Sequence, residues 1–117
     1  MPLESLKFLE DILQAAERIR EFAKGRTEAN YAADAMLRSA VERQFEIIGE
    51  AVNQLKRVDP GTAGRIENYQ EIIAFRNILI HNYDDIEPDV VWDVVQTKLP
   101  ALLQQVRAII SEDPHNE

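Results

Sequence analysis

The sequence predicts an all-α protein, an up-and-down bundle of four to five helices. Three observations predict it. Apolar residues recur at steps of three and four along most of the chain. No segment alternates apolar and polar residues as a half-buried strand would. Helix-breaking residues (Gly25, Asp59-Pro60-Gly61, Pro88) fall between the periodic stretches and leave only short connections. At 117 residues, with 45% apolar and 29% charged, the chain has room for one modest core and is not of disordered composition. One domain is expected over residues 1–111, with a flexible tail over 112–117.

In the first helix Leu6, Leu9, Ile12, Leu13, Ala16, Ile19 and Ala23 form an apolar face, and Gly25 is placed to end it. Thr27 is a candidate cap for a second, short stretch. A long stripe follows through Leu37, Val41, Gln44, Ile48, Val52 and Leu55, flanked by Phe45 and Ala51, and stops at the Asp59-Pro60-Gly61 turn signal. Gly49 inside this stripe costs about 1 kcal/mol of helix propensity relative to Ala. The expected compensation is the close approach of another helix. The next helix is expected from about Asn68 to His81, and the last from about Pro88 to Ile110. The last one buries Val91, Val95, Leu99, Leu102, Val106 and Ile109. Pro88 suits its first turn, Asp84, Asp85, Glu87 and Asp89 complement its positive end, and Pro100 should kink it.

The formal net charge of −8 argues against nucleic-acid binding through the whole surface, while leaving room for one local basic cleft or a basic partner. No apolar run approaches the roughly 20 residues of a membrane span, and Met1-Pro2-Leu3-Glu4 has no leader-like basic region, so no membrane contact and a cytoplasmic location are expected. There are no cysteines. Disulfides, zinc–thiolate sites and a cysteine nucleophile are therefore excluded.

The chemistry-bearing stretch is Phe75-Arg76-Asn77-Ile78-Leu79-Ile80-His81-Asn82-Tyr83. At about 100° per residue, Tyr69, Ile72, Ile73, Phe75, Leu79 and Ile80 fill one apolar arc of about 160°, with Arg76 in its middle. A guanidinium there must find a charged or hydrogen-bonding partner, and Glu46 or Glu50 could serve. Asn77 and His81, four residues apart, neighbour each other at the edge of the arc. Tyr83 returns to the line of Arg76 if the helix persists that far. Taken separately, Arg76 reads equally well as a structural ion pair, while His81 reads more readily as a cap or core residue and Tyr83 as packing.

Arg76, Asn77, His81 and Tyr83 together resemble the Arg-x4-His-x-Tyr motif of HepT toxins in the HEPN superfamily. Ile48-Gly49-Glu50-Ala51 is similar to the family's Ile-Gly-Glu-Ala block, and Val90-Val91-Trp92 with Leu99-Pro100 matches a further pattern. The resemblance runs in order over nearly the whole chain. It departs at Asn68-Tyr69, where relatives often carry Pro-Trp, which reads as a packing difference.

The resemblance implies a HEPN-like bundle and a metal-independent ribonuclease without cofactor, the toxin of a type VII-like toxin–antitoxin pair acting on tRNA or mRNA. In such chemistry the ribose 2′-OH attacks the adjacent phosphate, which calls for a base, an acid and a cation at the phosphorane. Arg76 and His81 are the implied catalytic residues, with Asn77 orienting His81 or a phosphate. His115 lies in the tail, so one histidine per chain remains, and it cannot be base and acid at once. A two-fold homodimer, or a higher oligomer, that brings two copies of Arg76 and His81 to one cleft resolves this and would turn the apolar arc into a dimer face. The implied partner is a minimal nucleotidyltransferase antitoxin of the MntA type that transfers AMP onto Tyr83. A non-catalytic HEPN module that assists a nucleotidyltransferase is the alternative.

Overall fold

The computed structural model describes residues 1–81 and 86–114. Its elements are α1 (Leu3–Ala23), α2 (Glu28–Ala33), α3 (Ala35–Val58), α4 (Pro60–Ala63), α5 (Tyr69–His81), α6 (Pro88–Asp93), a π-helical turn (Val94–Lys98) and α7 (Leu99–Ser111). No strand occurs among the described residues. The four long rods are α1, α3, α5 and α6 continued by α7, with α2 and α4 as short connectors.

Local sequence accounts for most of the boundaries. Gly25 adopts φ 73°, the left-handed conformation that glycine supplies without strain just after a helix. The Thr27 hydroxyl accepts from the Asn30 amide, and the Asn30 side chain accepts from the Thr27 amide, so α2 starts with a reciprocal cap. Asp34 caps α3 by accepting from the Leu37 amide. At Asp59-Pro60-Gly61, α3 stops as expected, but the chain passes into the short helix α4. Asp59 accepts from the Thr62 amide and hydroxyl and from the Ser5 hydroxyl. The start of α1 is thereby tied to the end of α3, so the two run antiparallel. Helix α7 returns along α1, where Arg107 pairs with Glu17 at 2.7 Å.

The core lies where these faces meet. Leu9, Ile12 and Ile19 of α1, Val41, Ile48, Val52 and Leu55 of α3, and Val91, Val106 and Ile109 of the last rod are almost wholly buried. The expected apolar set of the last rod is buried throughout. Tyr31 is an anchor the periodicity does not reveal. Its ring stacks on Trp92 at 5.4 Å and fastens α2 to α6, and burial pushes its phenol pKa up.

Two local expectations need correction. The rod from Pro88 to Ile110 is not one kinked helix. Pro100 lacks the amide that would continue an α-helical ladder, and the chain inserts the π-helical turn Val94–Lys98 just ahead of it. Asn68 adopts φ 61°, which asparagine tolerates and the proline ring forbids. Asn68 in place of proline is therefore a backbone difference, not packing alone. Beyond Ser111, Glu112 still reaches Arg65 and Asp113 is buried.

Candidate functional site

Helix α5 meets α3 at Gly49. A Cβ built on Gly49 would stand 2.1 Å from Cβ and 2.5 Å from Cγ of Arg76, far inside van der Waals contact. The glycine is what lets the Arg76 stem lie against α3, the close approach that the sequence predicts. Beside it Phe45 and Phe75 pack edge to face at 5.3 Å.

The guanidinium then reaches Glu50, with Nη2 donating to Oε2 at 2.7 Å, while Nη1 donates to Asn77 Oδ1 at 2.9 Å. Of the two carboxylates open to it, Arg76 takes Glu50; Glu46 instead meets Arg43 at 3.5 Å. The other Glu50 oxygen accepts from Gln54 Nε2 at 2.9 Å. Arg76 Nε is buried without a hydrogen-bond partner among the described residues. Its side chain is 25% exposed, so the cation is sheltered but reachable.

This ion pair forms the floor of an open groove of about 380 Å³. Arg43, Glu46, Glu50 and Gln54 of α3 and Arg76 and Ile80 of α5 line it, and α1 contributes Phe8 and Asp11. A second cavity of about 370 Å³ lies beyond Phe75, between α3, α5 and α7. Its floor is Phe45, Ile48, Ile72, Phe75, Leu99 and Leu102, and neither Arg76 nor His81 lines it. Arg76 therefore belongs to the first groove, and His81 lines neither.

His81 ends α5, is exposed, and makes no hydrogen bond or ion pair among the described residues. Asn77 turns its carboxamide oxygen to Arg76, not to His81. Five residues on a regular helix put Arg76 and His81 about 140° apart around the axis and about 7.5 Å apart along it. Tyr83, together with Asn82, lies outside the described residues. Only Leu79 of the apolar arc is fully buried; Tyr69, Ile72, Ile73 and Phe75 are half-buried, and Ile80 is 37% exposed. Ile78, outside that arc, is 46% exposed. Among the described residues no three His, Asp or Glu side chains gather to hold a metal ion, and no helix is long and apolar enough to cross a membrane.

The sequence reading misses two contributors. Gln54 buttresses Glu50, and Arg43 brings a second cation to the groove. Both were accessible from helical spacing, since Gln54 lies four residues after Glu50 and Arg43 seven before it.

An all-helical bundle with an arginine clamped at a helix crossing and a histidine at the end of the same helix is consistent with the HEPN-type protein that the motif resemblance implies. The chain belongs to the ribonuclease HepT-like family, whose model matches residues 12–109. It is 35% identical over 99 residues to a Thermococcus cleftensis protein named "Probable ribonuclease HepT", covering 81% of this chain and 86% of that one. It is 32% identical over 106 residues to a Caldanaerobacter subterraneus protein named "Putative RNase", covering 91% and 94%. A Methanocaldococcus jannaschii protein named "Gamma-glutamylcyclotransferase and putative RNase" is 32% identical over 110 residues, covering 94% of this chain and 49% of that longer one. The chain thus spans about half of that relative and most of the other two. No solved structure gives a significant match.

Proposed function

We propose that this chain is a metal-independent endoribonuclease and the toxin of a cytoplasmic toxin–antitoxin pair, using Arg76 and His81 at a cleft shared by two copies. The observation that carries the reading is the clamped guanidinium of Arg76 on the floor of an open groove, with an exposed histidine at the end of the same helix.

Histidine is the side chain suited to moving protons near neutral pH. His81 of one copy takes the proton of a ribose 2′-OH, and the 2′-oxygen attacks the adjacent phosphorus. Arg76 holds the charge that builds on the non-bridging oxygens. The bond from phosphorus to the 5′-oxygen breaks as His81 of the second copy protonates the leaving oxygen. The products are a 2′,3′-cyclic phosphate and a 5′-OH. The wide angle between Arg76 and His81 on one helix supports sharing between copies, as do the half-covered apolar residues of α5. Asn77 supports the guanidinium. A cognate nucleotidyltransferase switches the toxin off by transferring AMP from ATP to the Tyr83 phenol, with pyrophosphate leaving. The negative phosphodiester then competes with RNA for the same cation.

The second reading, a non-catalytic helical module, is favoured by the pairing of Arg76 with Glu50, because structural arginines are paired in the same way. Cleavage of tRNA and mRNA by the isolated protein separates the two. Activity that survives EDTA, leaves cyclic phosphate ends, and disappears in His81→Ala and Arg76→Ala with helicity retained is the expected result. Full activity in His81→Ala, or 3′-OH ends, would overturn the mechanism.

A further inference from the structure

Arg76 is immobilised at both ends. Its stem is pressed on Gly49, with no room for even one more carbon, and its head is held by Glu50 and Asn77. Glu50 is itself fixed, because Gln54 occupies its other oxygen. Because Nε is buried, a phosphate in the groove can meet the cation only through its terminal amino groups. A carboxylate at 2.7 Å also cancels much of the positive charge that an incoming phosphate would feel.

From this arrangement we infer that Glu50, braced by Gln54, is the positioning residue of the site. It aims Arg76 at the phosphorane and does so at the expense of ground-state affinity for RNA. The inference rests on the ribonuclease reading. Electrostatic stabilisation is effective when the charged group is already oriented before charge develops, and a free arginine with several rotatable bonds is not. Binding an RNA phosphate tightly in the ground state would not accelerate cleavage, so a partly neutralised, rigid cation is the better design. The two effects of Glu50 therefore have opposite signs, which a merely structural ion pair does not require.

The test uses the full-length protein, an RNA oligonucleotide that the wild type cleaves, and single-turnover kinetics beside equilibrium binding. Binding is measured with the same oligonucleotide carrying 2′-deoxy sugars, which cannot be cut. Glu50→Gln keeps the shape and removes the charge on a half-exposed helix surface. It should slow cleavage by about tenfold or more and tighten RNA binding by about fivefold, the tightening fading at high salt. Gln54→Leu keeps the charge but frees it, and should slow cleavage without tightening binding. Glu50→Asp should recover part of the rate. As a readout independent of activity, the guanidinium 15N resonances of Arg76 should show restricted rotation in the wild type and lose it in Glu50→Gln. Glu50→Gln that cleaves as fast as the wild type, cleaves faster, or slows with weaker RNA binding would overturn the inference. A wild type that cleaves no RNA while its Arg76 resonances remain locked would instead sink the ribonuclease reading and, with it, the catalytic use of the clamp.

Discussion

Gly49→Ala is the substitution for which local and tertiary physics make opposite forecasts. In an isolated helix it stabilises by about 1 kcal/mol, because alanine is the best helix former and glycine a poor one. In this bundle the added methyl would stand 2.1 Å from Arg76 Cβ. Carbon atoms settle at about 3.5–4.0 Å, so α3 and α5 must part by about 1.5 Å at their crossing. Arg76 Cβ is fixed to the α5 backbone and cannot rotate aside. Overpacking of this kind costs about 1–3 kcal/mol, and the rigid contact places it at the upper end. Against the propensity gain, the net loss is about 2 kcal/mol, which lowers the melting temperature of a domain this size by about 5–10 °C. The same displacement draws the guanidinium away from Glu50, and a misplacement of about 1 Å costs about a hundredfold in rate. Thermal melting by circular dichroism and RNA cleavage on the same preparations read both effects. A variant that melts at or above the wild-type temperature would refute the close-approach argument.

Three further outcomes are expected. Incubation with the cognate nucleotidyltransferase and ATP should add one AMP at Tyr83 and silence cleavage, and Tyr83→Phe should escape; peptide mapping by mass spectrometry that finds AMP elsewhere refutes the assignment. If two copies share the cleft with one His81 as base and the other as acid, heterodimers of wild type with His81→Ala should be inactive although one chain is intact, and heterodimers that keep about half of the wild-type activity would count against sharing. Asp59 has its carboxyl held below the ordinary 3.8, first by the Thr62 hydroxyl and also by Ser5 and the Thr62 amide, against an opposing effect of burial. Because the folded value is depressed, its stabilisation is present above the unfolded value and lost as pH falls through the folded one. Asp59→Asn should therefore be less stable than wild type at pH 7, with the gap closing as pH falls below about 4. A constant gap across that range would show that the charge does not matter.

The sequence by itself determined the long helices, because a three-to-four spacing of apolar residues, a cap at Thr27 and a glycine at position 25 are local signals. It also brought Arg76, Asn77 and His81 to notice, through a cation that interrupts an apolar arc and the motif around it. It did not decide which carboxylate answers that cation. Glu46 and Glu50 lie four residues apart on one helix, and only the crossing of α5 over Gly49 selects Glu50 and leaves Glu46 to Arg43. The π-helical turn before Pro100 and the left-handed Asn68 were equally beyond local pattern. Each depends on where the chain must arrive to pack, as does the stacking of Tyr31 on Trp92. Periodicity reports which face of a helix is apolar. The partner that covers that face, and the charge that reaches across to meet Arg76, depend on contacts between residues far apart in the chain.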